Sequence, residues 1–329
     1  MRATERAIQR PPAASTASEW IGPAKVIRSQ PRVIRRLRLI AGAVVVGPML
    51  GCIAAAVLAW REGLHVSDVA IFLAMYLACG FGISLGYHRY FAHRSFKTGR
   101  FMQRLLAVLG STNAQGPIVF WVATHRRHHR YSDEAGDPHS PNLSGDGFGN
   151  FLRGIWHAYF GWMFSDEITN YVVYARDILS DRTLVRINTL YPLWVALGLA
   201  VPAAIVGAAT GSSWGALHGF LWGGVIRMFV VNHANWCVGT FCHVFGSQPF
   251  ATGDASRNSF WIALVSFGEG YHNNHHAFPS SASHGLEWWQ PDLSAGAIKL
   301  LAATGLIWDV NLPSIAARRA KARSVVGQG

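Results

Sequence analysis

LIAGAVVVGPMLGCIAAAVLAW, residues 39–60, runs from Leu39 to Trp60 without a charged side chain. Wound as an α-helix it is about 33 Å long, enough to cross a hydrocarbon core of about 30 Å. A second uncharged run extends from Val69 to Tyr87, and only Arg61, Glu62, Gly63 and the residues to Asp68 separate the two. A third run, Leu190 to Thr210, and a fourth, Trp214 to Val231, are joined by Gly211, Ser212 and Ser213. A single run of this kind could be a buried helix of a soluble protein. Four of them, paired by tight turns, predict an all-α membrane protein of two transmembrane hairpins.

Composition agrees. The chain has 329 residues, 50% apolar and only 14% charged, with a net charge of +12. Soluble domains carry about a quarter charged residues, so this chain is too poor in charge to wet a globular surface. Disorder is no explanation, because disordered segments lack aromatics and this chain is 12% aromatic. Its 13 Trp and 9 Tyr suit the two membrane interfaces. No long Lys/Arg tract with interleaved polar residues is present, which argues against nucleic acid as a partner. The four cysteines, Cys52, Cys79, Cys237 and Cys242, show no CxxC spacing and read as small core residues.

Arg28, Arg32, Arg35, Arg36 and Arg38 precede the first span, while the two hairpin turns together carry one Arg. The positive-inside rule then places both termini, the stretch from His88 to about Ile187, and everything after Val231 in the cytoplasm, as expected of a multi-pass protein of a bacterial inner membrane. The expected division is a disordered basic segment at 1–38, hairpin one at 39–87, a cytoplasmic region at 88–187, hairpin two at 188–231 and a second cytoplasmic region at 232–329. No cleaved signal peptide is expected, since the first apolar run is already of spanning length. Within that frame the first 27 residues, rich in Ala, Pro, Ser and Arg, read as unstructured. Arg227, near the end of the fourth span, either snorkels to the interface or faces an internal polar site.

Fifteen histidines are many for so uncharged a chain. His88 and His93 form HxxxxH. His125, His128 and His129 form HxxHH, and His272, His275 and His276 form it again. Chance would supply about 0.03 such motifs in a chain of this length and His content, so two are not accidental. All three clusters fall in segments assigned to the same side of the membrane. Imidazoles at i, i+3 and i+4 share a helix face and can converge on one point. HxxxxH aims its rings apart on a regular helix and needs the helix to break. Neutral imidazole suits zinc, copper, nickel and iron, and eight or more exceed the needs of one ion, so two metals are implied. Asp133, Glu134, Asp137 and Glu269 are expected to stand behind the rings and orient them. His65, His139, His157, His218 and His284 are assigned ordinary core or surface roles.

The motifs HRYFAH (88–93), HRRHHRYSDEAGDPHSP (125–141) and GEGYHNNHHAFP (268–279), in that order on two helical hairpins, resemble the membrane fatty-acyl desaturases of the stearoyl-CoA desaturase type over roughly residues 35–310. The resemblance implies two irons held by nine ligands: His88, His93, His125, His128, His129, His243, His272, His275 and His276. It implies O2-dependent insertion of a cis double bond, at delta-9 in that type, into a saturated acyl chain. The family's Asn four residues before the ninth His falls at Gly239, so water or another side chain must serve there. No HPGG, CxxC or Gly-rich dinucleotide motif is present, so electrons are expected from a separate ferredoxin, or from cytochrome b5 with its reductase. Animal acyl-CoA members carry an Arg-Asp pair where this chain has Ala123 and Thr124, a form closer to acyl-lipid enzymes, although Arg126 or Arg153 could still hold CoA. Phe72 and Tyr76 align where the family closes the methyl end of the acyl tunnel. That position predicts a preference for palmitoyl-length chains or shorter. Gln115, Trp121, Asn235 and Trp236 are expected along the same tunnel. Two alternatives stay open: a membrane di-iron hydroxylase of acyl or alkyl chains, and a His-rich metal transporter, which would need ligands at mid-membrane depth.

Overall fold

The computed structural model of the protein describes residues 20–21 and 26–323. Four helices in it are long and apolar enough to cross a membrane: Pro31–Glu62, Val66–Ala92, Tyr191–Thr210 and Ser213–Phe241. They form two hairpins, as the hydropathy of the sequence implies, and fit an integral membrane protein. Each span is longer than its apolar run suggests, except the third. The first begins eight residues before Leu39, and the fourth continues ten residues past Val231.

Order also reaches into the segment expected to lack it. Val26–Arg28 is a strand between Trp20–Ile21 and Glu167–Ile168, with Ile27 opposite Ile168. The following helix is pinned when the Arg38 guanidinium donates to Asp166 (2.6 Å) and to the Phe164 carbonyl (2.9 Å). Residues 1–19 and 22–25 lie outside the described residues.

The mid-membrane flanks of the spans expose large aliphatics, among them Leu50, Ile53, Leu73, Val201 and Ile205, as lipid contact requires. The core sits at the other end. There the last turns of the second span pack on the helices Arg100–Ser111, Ile118–Tyr131 and Arg182–Thr189, burying Ile83, Leu85, Tyr87, Phe91, Leu106, Ile118, Val122 and Ile187. Glycine permits this close approach. A Cβ on Gly82 would lie 2.4 Å from the Gly110 backbone nitrogen, so the two helices touch along bare backbone, the usual device for close crossing of membrane helices.

At the same place the second span changes pitch. From Gly82 to Ala92 it is π-helical, and the His93 amide donates to the His88 carbonyl at 3.1 Å. An i→i+5 bond stacks residues five apart. The helix therefore does not break at HxxxxH; it widens, and the two rings come within 4.9 Å. Single π turns are frequent at functional sites.

Arg227 does not snorkel: it faces an internal polar site, away from the histidines. It is fully buried, and its guanidinium donates to the carbonyls of Gly223, Thr112 and Gly198 and to the Asn113 side chain. It ties the third and fourth spans to the loop after helix Arg100–Ser111.

Candidate metal centre

The second box lies on helix Ile118–Tyr131 and the third on the short helix His272–Ala277. An α-helix turns by about 100° per residue. Positions i and i+4 therefore point within about 40° of each other, while i+3 swings away by about 60° on the other side. The expectation that each HxxHH triad converges on one point fails for this reason. His125 and His129 join His88, His93 and His275 in one group, while His128 joins His243, His272 and His276 in another. Each HxxHH box thus serves both groups, the first box serves only the larger, and the sequence-derived set of nine falls into five and four. The groups abut, with the His129 and His276 rings stacked 4.4 Å apart.

The ring nitrogens face inward. Nε2 of His93 is 2.7 Å from Nε2 of His125, and Nε2 of His275 is 2.8 Å from His129 and 3.0 Å from His88. In the second group, His272 Nε2 lies 3.1 Å from both His243 and His276. Two imidazole nitrogens bound at right angles to one ion at about 2.1 Å sit about 3 Å apart. Burial, and then the neighbouring rings, hold His125, His129, His272 and His275 well below the ordinary imidazole range, so these rings are neutral. A neutral imidazole has one N–H, so each inward Nε2 whose ring keeps its proton on Nδ1 presents a bare lone pair to its neighbours. His128 Nε2 is buried and has no hydrogen-bond partner among the described residues. The donor set fits a cation in each group.

Carboxylates stand behind four of the rings. His128 Nδ1 meets both Asp137 oxygens at 3.0 Å, His243 Nδ1 meets Asp133 at 2.8 Å, and His276 Nδ1 meets Asp254 at 2.6 Å. Glu269 Oε2 is 2.5 Å from His88 Nδ1. A carboxylate at Nδ1 fixes the tautomer that offers Nε2 to metal. Burial would lower His128, but Asp137 outweighs it and raises the ring. Burial likewise opposes ionisation of Asp133, Asp137 and Asp254, yet their histidine partners hold all three well below the usual carboxylate range.

Several assignments made from sequence change here. Glu134 is exposed and bonds no ring. Asp254 takes the place foreseen for it, and nothing in its spacing from a box announces that role. Arg89, inside the first box, is fully buried and joins Glu269, Asp292 and the carbonyls of Phe267 and Ala282. It locks the second span onto the loop that carries the third box. His284 has its ring 4.4 Å from His275 and its Nδ1 3.1 Å from Glu269, so it belongs to the wall of the centre. His139 stacks on His128 at 4.5 Å. A Cβ built at Gly239 would meet the His139 ring at 3.7 Å, so that imidazole fills the space beside Gly239. Burial, then the charge of His128, pushes His139 down to about 3.

A cavity of about 450 Å³ runs from the rings to the first span, within the size range of ligand pockets. His88, His125, His128 and His272 line it, and so do Leu37, Ile40, Ala41 and Val44 of the first span. Gln115, Trp121, Asn235 and Trp236 also line it. Phe72 and Tyr76 do not. Their rings stack on each other, and Tyr76 turns to Phe267 and donates its hydroxyl to the Val265 carbonyl. That bond holds Tyr76 against the loop before the third box and away from the cavity. Arg126 is no CoA ligand either, because every donor it has is taken by Asp177 and by the carbonyls of Phe91, Ala92 and Tyr174.

Comparison with known proteins agrees with this geometry. A family profile described as fatty acid desaturase matches residues 67–297. The chain is 47% identical to a hex-5-enoyl-[acyl-carrier protein] acetylenase of Moorena producens, over 81% of this chain and 84% of that protein. It is 37% identical to an sn-1 stearoyl-lipid 9-desaturase of Synechocystis, over 76% and 74%. It is 38% identical to an acyl-CoA 5-desaturase of Anemone leveillei, over 74% and 71%. The chain belongs to the fatty acid desaturase family and is a fatty-acyl desaturase.

Proposed function

We propose that the five- and four-imidazole groups hold two irons and that the enzyme inserts a cis double bond, at delta-9, into an acyl chain carried on a membrane lipid. The observation that carries this reading is the continuity of one apolar cavity between the inward-facing Nε2 atoms and the first span. Leu37 and Ile40 line that cavity and are also 41% and 49% exposed, so its far end reaches the lipid-facing surface. An acyl chain still attached to its lipid can enter sideways from the bilayer. With Arg126 committed and Arg153 absent from the lining, the basic residues proposed for CoA phosphates are not at the cavity.

Bound iron supplies activation of O2, the oxidising power needed to remove hydrogen from unactivated methylenes. The protein's own part is position and dryness. Asp133, Asp137, Asp254 and Glu269 hold ring tautomers. Trp121 stacks on His125 at 5.1 Å and donates its indole N–H to Gln115 Oε1 at 3.1 Å. That leaves Gln115 Nε2 buried without a partner at the cavity wall, a donor for a polar group of the incoming chain. Electrons reach the centre from a separate ferredoxin or cytochrome b5. The basic first turns of the first span and the short basic-poor hairpin turns support a cytoplasmic centre in a bacterial inner membrane.

The relative acting on an acyl-carrier protein substrate gives a second carrier a claim, since it shares 47% identity with this chain. Purified enzyme with a redox chain, offered the same acyl group on phospholipid, CoA and carrier protein in parallel, tests the proposal. Lipid conversion is expected; conversion of a soluble thioester alone would overturn the lipid reading.

A further inference from the structure

At the other end of the hairpins, roughly 30 Å along the second span from His88, a separate set of ligating side chains comes together. His65, Asp68 and His218 have donor atoms within 4.8 Å of one another. His65 and Asp68 open the second span, His218 lies in the first turns of the fourth, and Glu62 ends the first. Three spans thus meet at one point through residues far apart in sequence.

The hydrogen bonding fixes what this cluster can do. Asp68 is fully buried, and His218 is 4% exposed. His218 Nδ1 lies 3.0 Å from Asp68 Oδ1, and the His65 amide donates to Asp68 Oδ2 at 3.0 Å. In the neutral ring this bond keeps the proton on Nδ1 of His218, and Nε2 presents a lone pair. That Nε2 is buried, has no hydrogen-bond partner, and looks at Glu62 Oε2 across 3.7 Å. The gap is too long for a hydrogen bond, and with the ring neutral both atoms are acceptors. Glu62 Oε2 is itself held by the Trp214 indole N–H at 2.7 Å. Among the described residues no Lys or Arg pairs with either carboxylate. Two acceptors fixed opposite each other call for a cation between them. Ligand atoms bound tetrahedrally at about 2.0–2.1 Å lie about 3.3 Å apart, so a contraction of a few tenths of an ångström suffices. The His65 ring stands 5.0 Å from that of His218, centroid to centroid; its Nδ1 lies 3.3 Å from Asp68 Oδ2 and its side chain is 51% exposed, which leaves Nε2 as a further nitrogen.

We propose that Glu62, His65 and His218 form a second, independent metal site for a divalent transition ion such as zinc, with Asp68 orienting His218 and Trp214 orienting Glu62. Two imidazoles with a carboxylate and an open position are a donor set that suits zinc, and Asp68 behind His218 is the outer carboxylate such sites use. The ion would clamp the turn between the first two spans to the start of the fourth.

Zinc chloride is the probe. Full-length wild type, His218→Gln and His65→Ala are purified in detergent with the nine central histidines intact, titrated with zinc, and their bound zinc and iron measured by mass spectrometry. Wild type should hold one more zinc per chain than either variant at matched free zinc, and zinc should raise its thermal midpoint more than theirs. Iron content and desaturation should be the same in all three. His65→Ala alters a half-exposed side chain and decides the question even if His218→Gln fails to fold. Equal zinc content and equal zinc-induced shifts in wild type and His65→Ala would show a buried His–Asp pair only, and the proposal would fall.

Discussion

Asp254→Asn is the substitution that most sharply isolates the carboxylates behind the rings. It keeps shape and removes one charge. In the native loop Oδ2 accepts from His276 Nδ1 at 2.6 Å, while Oδ1 accepts from the Thr252 hydroxyl at 2.8 Å and from the Ser256 amide at 3.0 Å. An amide can satisfy only one side. If its nitrogen faces His276, the ring must move its proton to Nε2, the atom 3.1 Å from His272 Nε2, and is lost as a ligand. If the amide flips, the Thr252 and Ser256 donors face an NH2 group, and each unmet buried group costs about 1–3 kcal/mol. Loss of such an outer partner typically weakens metal affinity about 10- to 100-fold, about 1.4–2.7 kcal/mol. Iron retained per chain is to be measured against a graded chelator, beside turnover. The midpoint should shift by that factor in the variant. An unchanged midpoint would mean that Asp254 merely ties down its loop.

Replacing any of the nine ring ligands, His243 included, by Ala should abolish product and lower iron content; full activity and iron in His243→Ala would remove it from the set. His284→Ala should cut activity where His157→Ala does not, because among the described residues His157 bonds only the Pro138 carbonyl. Tyr76→Ala should leave the chain-length profile of the product unaltered, and a shift to longer chains would put its ring back in the acyl path. Arg227→Met strips partners from the Thr112 and Gly198 carbonyls and the Asn113 side chain, and should destabilise the fold by about 2–5 kcal/mol, read as a lower midpoint of unfolding in detergent. Burial lowers His276 to about 4, with Asp254 only partly offsetting it. The unfolded chain then binds more protons between pH 6.5 and about 4, so stability is fully present above 6.5 and falls as pH drops through that window. An apo-protein midpoint that rises on acidification would contradict this sign.

Much of this was legible in the residues because hydropathy and His spacing are local signals. Four apolar runs became four spans, and three His boxes with His243 became the two groups. What escaped depends on geometry that spacing does not encode. HxxxxH implies a broken helix until the π turn at Gly82–Ala92 supplies i→i+5 stacking. HxxHH implies one focus until the 100° step divides it. Asp254 and His284 reach the centre through loops whose path no motif predicts, and Arg89, inside the first box, finds its partners on such loops. Tyr76 aligned with a tunnel position, yet a single hydroxyl bond to Val265 turns it elsewhere.

The most direct measurement is mass spectrometry of membrane lipids from a host that makes no unsaturated acyl chains, expressing this protein with a compatible electron donor. Lipid-linked acyl chains two hydrogens lighter, absent when His128 or His272 is replaced, are the predicted result. Acyl chains heavier by one oxygen with no alkene would contradict desaturation at this centre.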